Sequence, residues 1–467
     1  MSWIGNLLSR RGKPQVRARY DAAQTTTLNR RHWSMADLLA ADAALTPAVR
    51  ERLRSRARYE AANNAYLAGM AETLATDLIG TGPKLQLDLG PDVDASAVRQ
   101  VELANYDWSI AIDLPGKLRT MRKARAIDGE VFALTTTNRA LRGVQLDMRL
   151  VEGDQVTSPP ITLDPTAVDG VRFDASGNVA EYHVLKFHPG AVAYGWTNEG
   201  NWVDAEDVFH WMHSTRPGQH RGVGEIVPAL ELFAMLRRYT LAVVTAAETA
   251  ADFAAVIHTN SPTSGAAAGL DEWETMPLVR GMAMALPEGW DATQMKPEQP
   301  VATFDMFVRA ILNQIARAVS MPYIVAAMDS SSANYSSMRG DYLVYRKHIG
   351  CLRSDLERVV LDPLLGKWLD EAALVPGLIP DGLPPVAAWN WTWTWDGFEH
   401  VDPLKEASAE AAMVAANMTT LSEVCSKRGR DWRVVLRQRA AEKELARELG
   451  LDEPATPADA TDPTETP

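Results

Sequence analysis

Three groups of side chains have the types that chemistry needs. His210-Trp-Met-His213, with His220, is the densest histidine group in the chain. A zinc site would want two ligands on one helical face, a third ligand and an open position. Here Val203 to Phe209 reads as strand or turn, and Gly218, Gly222 and Gly224 read as loop, so an ordinary strand end is expected. Ser330, Ser331 and Ser332, with Ser336 and Ser337, could offer a nucleophile. No Gly-x-Ser-x-Gly elbow surrounds them and no nearby histidine stands out as a base, so a polar loop between helices is expected. Asp128 and Glu130 flank Gly129 as possible paired carboxylates, for which a structural role is expected. The sequence has neither Gly-x-x-x-x-Gly-Lys-Ser/Thr nor Gly-x-Gly-x-x-Gly after a strand, so it is not expected to hydrolyse ATP. No catalytic, cofactor-binding or metal residue is assigned, and the chain is not expected to be an enzyme.

The elements that would carry these groups can be read from periodicity and punctuation. Ser34 is a plausible cap for a helix over Met35 to Ala44, and Thr46-Pro47 opens a second helix running towards Ile79, where Gly80 and Gly82 end it. Lys84 to Leu89 alternates as a half-buried strand, and Ala95 to Ile112 and Leu114 to Ala126 read as helices. Gly129 to Thr137, Gln145 to Val151, Gly170 to Phe173 and Ala180 to Leu185 read as strands of a small, mostly antiparallel sheet. A long helix spans roughly Ile226 to Val256, about 45 Å at 1.5 Å per residue. Its second half, with Ala242, Ala246, Ala250 and Ala254, allows close packing on another helix, though high helix propensity explains it equally well.

An irregular segment with Pro277, Pro287, Pro297 and Pro300 leads to an amphipathic helix over Phe304 to Val319. Asp329 to Asn334 is a polar loop, and Tyr335 to Ala373 is helical with a bend or break at Pro363. Trp389-Asn-Trp-Thr-Trp-Thr-Trp395 puts four indoles on one strand face; they could stack on bases, but a buried sheet face is the expectation. Helices follow over Leu404 to Ala416, a short one capped by Thr420 and Glu423, and Asp431 to Gly450.

Composition bounds what this architecture can do. The chain has 467 residues, 46% hydrophobic and 23% charged, enough for two to four structural units of a soluble protein. No stretch has the roughly 18 uncharged apolar residues of a membrane span. Residues 1–11 read as a short amphipathic arm rather than a secretory signal. Cys351 and Cys425, the two cysteines, make neither a zinc cluster nor a disulfide framework, which fits a chain made in cytoplasm. The net charge of −13 argues against a protein that grips nucleic acid by neutralising many phosphates. Residues 1–60 nonetheless hold twelve Lys/Arg against five Asp/Glu. That stretch reads as a solvated arm or helix face, with contact to an acidic neighbour or a phosphate backbone as the alternative. The tail from Leu451 has five acids, no bases and four prolines, and is expected to be disordered.

Several segments, in order, resemble the portal proteins of lambda-type tailed bacteriophages. Arg52-Leu-Arg-Ser-Arg56, Asn63-Asn64 and Leu78-Ile-Gly-Thr-Gly82 are similar to the family's arginine-rich helix, asparagine and closing glycines. Gly129-Glu130, Val151-Glu-Gly-Asp154, Asp169-Gly170 and Tyr182-His183 continue the pattern. Pro217-Gly-Gln-His-Arg-Gly222, Asn334-Tyr-Ser-Ser-Met-Arg339 and Asp402-Pro403-x-Lys405-Glu406 complete it, so that the resemblance runs from about residue 17 to 451.

That resemblance implies a multi-domain α+β, ring-forming portal fold with long stem helices, a small mostly antiparallel sheet region and a helical C-terminal crown. By position it implies an N-terminal arm (1–30), a wing (31–225), a stem helix (226–256), a clip (257–302) and a second stem helix (303–320). A tunnel loop (321–336), a wing helix and strand (337–403), crown helices (404–450) and the acidic tail (451–467) follow. Asp329, Ser330, Ser331, Ser332 and Asn334 become DNA-channel candidates, and Ala242, Ala246, Ala250 and Ala254 subunit-interface candidates. The implied partners are further copies in a ring of about twelve, the terminase large subunit, major capsid and scaffolding proteins, and head-tail connector proteins. Double-stranded DNA would be touched weakly and without sequence preference, and no membrane is involved. The implied place is the capsid vertex of the virion. Alternatives are a head-tail adaptor or other structural virion protein, or a hydrolase working from the Asp329 to Ser337 loop or the His210 to His220 cluster.

Overall fold

Pro47 at the first turn, after Thr46 in extended conformation, starts the first long helix, α2 (Pro47–Asn63), behind a single turn, α1 (Ala41–Ala44). The computed structural model describes Thr27 and residues 30–160, 164–191, 198–251, 255–259, 290–294, 301–331, 333–398 and 403–451. The helix expected over Met35 to Ala44 is reduced to α1, because Met35, Leu38 and Leu39 are exposed with nothing to pack on, and Asp37 takes the amide of Leu39 in a local turn. The single helix expected from Pro47 to Ile79 is two. Asn64 leaves helical conformation and accepts from the amides of Tyr66 and Leu67, which starts α3 (Ala65–Ile79). Gly80, at φ 57°, ends α3 as expected.

Strand β1 (Lys84–Asp88) is followed by α4 (Ala95–Ala111), capped by Asp94, and α5 (Leu114–Ile127), capped by Asp113. Two antiparallel sheets come next. One has the order β3-β2-β8, from β2 (Glu130–Thr137), β3 (Leu146–Glu152) and β8 (Val208–Met212). The other is a meander of β4 (Ala167–Val168), β5 (Val171–Phe173), β6 (Val179–Leu185) and β7 (Gly200–Asp204). Residues alternate along β2 between two cores. Val131 and Ala133 join the large core of α3, α4 and α5, whereas Phe132 and Leu134 join a small core with Val171, Tyr182 and Val184 of the second sheet. A strand buried on both faces is one where polar side chains must find partners in the protein.

A 3-10 turn, Val227–Ala229, leads into α6 (Leu230–Ala251). This helix is shorter than the expected Ile226 to Val256, about 33 Å rather than 45 Å. Ala255 and Val256 belong instead to β9 (Ala255–Thr259), which pairs antiparallel with β10 (Trp290–Gln294). Helix α7 (Val301–Ala318) returns alongside α6, where Tyr239 packs on Phe304 and Phe307 at ring distances of 5.6 and 4.3 Å. A short helix, α8 (Tyr323–Ala326), and a loop then lead to α9 (Tyr335–Leu356). Pro363 does not break the path: a π-helical segment, Glu357–Leu361, absorbs the missing amide and continues into α10 (Asp362–Ala372).

The tryptophan strand is β11 (Asn390–Thr394), paired antiparallel with β1. Its indoles face the π segment and α10. Trp391 and Trp393 both donate to Asp362 Oδ1 at 2.9 Å, and Trp395 donates to Glu357 Oε1 at 2.5 Å. Helices α11 (Pro403–Ala415), α12 (Leu421–Lys427) and α13 (Trp432–Glu448) close the chain, with the expected capping box of Thr420 and Glu423 on α12. Among the described residues no helix is long and apolar enough to cross a membrane. Most of the arm, most of the clip, Ser332, Ala254 and the tail beyond Leu451 lie outside the described residues.

Candidate functional site

Arg50, Arg54 and Arg58 of α2 stand four residues apart and turn towards the sheets. Arg50 and Arg54 are 6% and 4% exposed. Arg50 pairs with Asp169; Arg54 pairs with Glu130 and, at 2.9 Å, with Asp154. Arg58 reaches Asp128 at 2.8 Å, Glu152 at 2.9 Å and Asp154 at 2.8 Å. Within α2 the basic stretch thus divides by helix face. Arg52 and Arg56 are exposed, while the arginines on the opposite side are spent on carboxylates of the same chain.

Glu130 is the centre of this group and has no exposed surface. Besides Arg54, its carboxylate accepts from Arg221 Nε at 3.0 and 3.1 Å and from Arg221 Nη2 at 2.7 Å. The amide of Gly222 donates to it at 2.7 Å, and His210 Nε2 lies 3.0 Å away. Arg221 also donates to the carbonyls of Val156, Asp169 and Gly153 at 2.7, 2.6 and 2.7 Å. One guanidinium therefore ties β2 to the turn after β3 and to the β4–β5 turn of the second sheet. Burial alone would raise the Glu130 carboxyl. Arg221, the hydrogen bond to His210 and Arg54 outweigh it and hold the group well below the usual carboxylate range.

A second node sits behind the first. Glu225 takes both terminal nitrogens of Arg122 at 2.9 Å and also pairs with Arg125, whose guanidinium lies over the Trp211 ring at 5.0 Å. Burial would raise Glu225, and Arg122 and Arg125 pull it below its ordinary value. The expected structural role for Asp128 and Glu130 fits this geometry. Both carboxylates are engaged by arginines inside the protein, and Glu130 offers no face to a substrate.

The histidines separate. His210 goes to Glu130, His213 Nδ1 is 2.9 Å from the Val223 carbonyl, and His220 Nδ1 is 2.7 Å from Asp42. Glu152, Asp154 and His188 do bring three possible ligand atoms together. His188 Nε2 lies 3.4 Å from Glu152 and 3.6 Å from Asp154, but the charge between these carboxylates is already supplied by Arg58.

The loop after α8 is tethered. Asp329 Oδ2 accepts from Arg309 on α7 at 3.1 Å and from the Tyr323 hydroxyl at 3.2 Å, and Oδ1 accepts from the Ser331 amide at 3.0 Å. Ser331, then Tyr323 and Arg309, hold Asp329 below its ordinary value. Asn334 caps α9, with its side chain accepting from Ser337 N at 2.9 Å. Ser330, Ser331 and Asn334 are exposed and Asp329 is half-buried. On α6, Ala242 is exposed and Ala246 half-buried, and Leu241 and Val244 beside them are exposed as well.

Sequence reasoning did not single out Arg54, Arg221 or Glu225 as a group. The available signal was that Arg54, Gly129-Glu130, Asp154, Asp169-Gly170 and Arg221-Gly222 all lie in the segments that carry the family resemblance; in space they meet at Glu130.

Comparison with known proteins extends over the same segments. The family described as "Phage portal protein, lambda family" matches residues 28–353. Portal protein B of Escherichia phage lambda is 23% identical over 478 residues, covering 89% of this chain and 87% of its own. The probable portal protein of Halomonas phage phiHAP-1 is 22% identical over 440 residues, covering 86% of this chain and 82% of its own. Among solved structures, a chain from the neck of an empty gene transfer agent particle has a TM-score of 0.48 at 16% identity, covering 80% of this chain and 93% of that one.

Proposed function

The chain belongs to the lambda family of phage portal proteins, and from that membership we propose that its copies close into a ring of about twelve at the capsid vertex of a virion. Double-stranded DNA enters and leaves through the ring. Portal proteins are structural, and this chain performs no catalysis. The observation that carries the reading is the family match over residues 28–353, within which Arg54, Glu130, Asp154, Asp169 and Arg221 of the resembling segments meet in one buried joint. Such a joint gives a subunit a rigid wing on which neighbours can bear, since buried, fully paired charges fix one arrangement of the elements they link.

In this reading residues 1–30 are an arm on a neighbouring subunit or the capsid protein, and 31–225 are the wing. Residues 226–256, which include α6, and 303–320, which overlap α7, are the stem, and 257–302 are the clip that meets the terminase large subunit and later the head-tail connector proteins. Residues 321–336 are the tunnel loop, 337–403 the wing helix and strand, and 404–450 the crown. Asp329, Ser330, Ser331, Ser332 and Asn334 face the channel; Ala242, Ala246, Ala250 and Ala254 pack on the next subunit. Major capsid and scaffolding proteins surround the ring during assembly.

Electrostatics supports a conduit rather than a clamp. Each phosphate neutralised by a basic side chain adds affinity that sliding must overcome. A subunit of net charge −13, repeated around a ring, repels the duplex and keeps it mobile. Native mass measurement with negative-stain imaging of the purified full chain tests the proposal. A closed ring with a central hole is expected, and a compact monomer at high concentration overturns it.

A further inference from the structure

Where α13 meets the β1–α4 corner, the described structure leaves a cleft of about 190 Å³. Its apolar lining comes from Leu87, Leu89, Val93 and Val98 and from Val434 of α13. Its charged lining is Arg99 and Glu102 of α4 with Asp431, Arg433 and Arg437 at and along α13. The two carboxylates are already committed. Glu102 accepts from the Leu87 amide at 2.9 Å and from Arg99 at 3.3 Å, and Asp431 caps α13 through the Arg433 amide at 2.8 Å. Arg433 and Arg437 make no carboxylate ion pair among the described residues. The cleft therefore presents two guanidinium groups without a carboxylate partner, Arg433 lying over the Trp432 ring at 5.7 Å, beside an apolar lining.

We propose that this cleft is the docking site of residues 452–467 of the same polypeptide. That segment has five acidic residues, no basic ones and four prolines. Carboxylates suit the arginines, and prolines between them suit the apolar lining at little cost in chain entropy. The reach is sufficient. From Arg437 to Leu451 along α13 is about 21 Å, and sixteen extended residues span about 50 Å. A DNA duplex is too wide for a cleft of this volume, whereas one acidic side chain and its neighbouring residue of an extended segment can enter it while the rest of the segment lies along the surface.

The test uses the full chain carrying Arg437→Lys, which keeps the charge and adds an amine. A zero-length carbodiimide crosslinker then joins that amine to any carboxylate in contact, and peptide mass spectrometry reads the links. Links from position 437 to carboxylates of 452–467 are expected, exceeding several-fold those from Lys443. Lys443 is exposed and nearer to the segment along the chain, so a freely moving tail labels it more. Raising the salt to about 1 M, where the screening length is about 3 Å, should abolish most of the link. Adding Arg433→Glu should do the same while leaving the circular dichroism spectrum unchanged. Linking at position 437 no stronger than at Lys443, or undiminished by Arg433→Glu, overturns the proposal. So does absence of the link, and calorimetric binding of inorganic phosphate in that sample would assign the cleft to a different anion.

Discussion

Gly129 and Gly222 touch through bare backbone: a Cβ on Gly222 would stand 2.2 Å from the Gly129 carbonyl oxygen, and one on Gly129 would stand 2.3 Å from the backbone of Val223. Gly129 also sits at φ 93°, where an L side chain is strained. This crossing brings the Gly222 amide onto Glu130. Gly129→Ala and Gly222→Ala should each destabilise the chain by more than the roughly 1 kcal/mol of an ordinary glycine change, because backbone must move. Gly350→Ala is the control. It lies inside α9 with open space around it and should stabilise by about 0.5–1 kcal/mol. Urea midpoints of the three variants check the ranking.

Removing one side of the Glu130–Arg221 pair leaves the other charge buried. Arg221→Met and Glu130→Leu should each cost about 3–5 kcal/mol. The double variant should cost less than the sum, since neither charge is then stranded. A double-mutant cycle on denaturation midpoints reads this directly, and strict additivity would mean that the two groups do not interact.

The same junction sets an acid limit. His210 is pushed below its ordinary value by burial, against the pull of Glu130, so the unfolded chain takes up a proton that the folded one refuses. Stability should start to fall as pH drops below about 6.5. Glu130 and Glu225 are depressed in the fold, so the stability they contribute is complete above about pH 4.3 and is lost as pH falls through their lower folded values. Asp77 and Glu102, raised by burial, act in the opposite sense. The measurement is therefore a difference: Glu130→Gln should show a flatter fall below pH 4.5 than the unsubstituted chain, and His210→Gln a flatter fall between pH 6.5 and 5.

Local chemistry was legible in the sequence and distant pairing was not. The Thr420–Glu423 capping box and the Gly80 stop depend on residues a few positions apart and form as read, whereas the alternating tryptophans form a shorter strand, with Trp391 and Trp393 half-buried inside it and the buried Trp389 and Trp395 flanking it. Asn64 as a helix cap was hidden because its neighbours are good helix formers and its own side chain decides the break. The arginines of α2 looked like a solvated face because their partners lie far along the chain, 76 residues from Arg54 to Glu130, and 91 separate Glu130 from Arg221. Periodicity could have shown that Arg50, Arg54 and Arg58 share a face with the buried Ala57, but not what that face meets.

Asp362 holds the tryptophan strand to α10. Its Oδ1 accepts from both Trp391 and Trp393, so Asp362→Ala strands two indole N–H groups at once. A cost of about 1–3 kcal/mol is expected, with a red-shifted tryptophan emission as water reaches the strand. Asp362→Asn keeps an acceptor and should recover most of the loss. Equal effects of the two substitutions would mean that the hydrogen bonds contribute little.

Asp329 ties its loop to α7 through Arg309 and to α8 through Tyr323, and holds the Ser331 amide. These contacts are at the surface, so Asp329→Ala should leave global stability almost unchanged. Its effect should be local, seen as faster amide exchange at Ser331 and along the loop. Asp329→Asn keeps an oxygen for the Ser331 amide but loses the ion pair, and should fall between the two. If the loop faces the channel as proposed, both variants assemble rings normally and differ only in how DNA is packaged or retained. A packaging defect in Asp329→Ala with normal rings and faster loop exchange would join the tether to DNA handling. Normal packaging despite faster exchange would separate this loop from the DNA path.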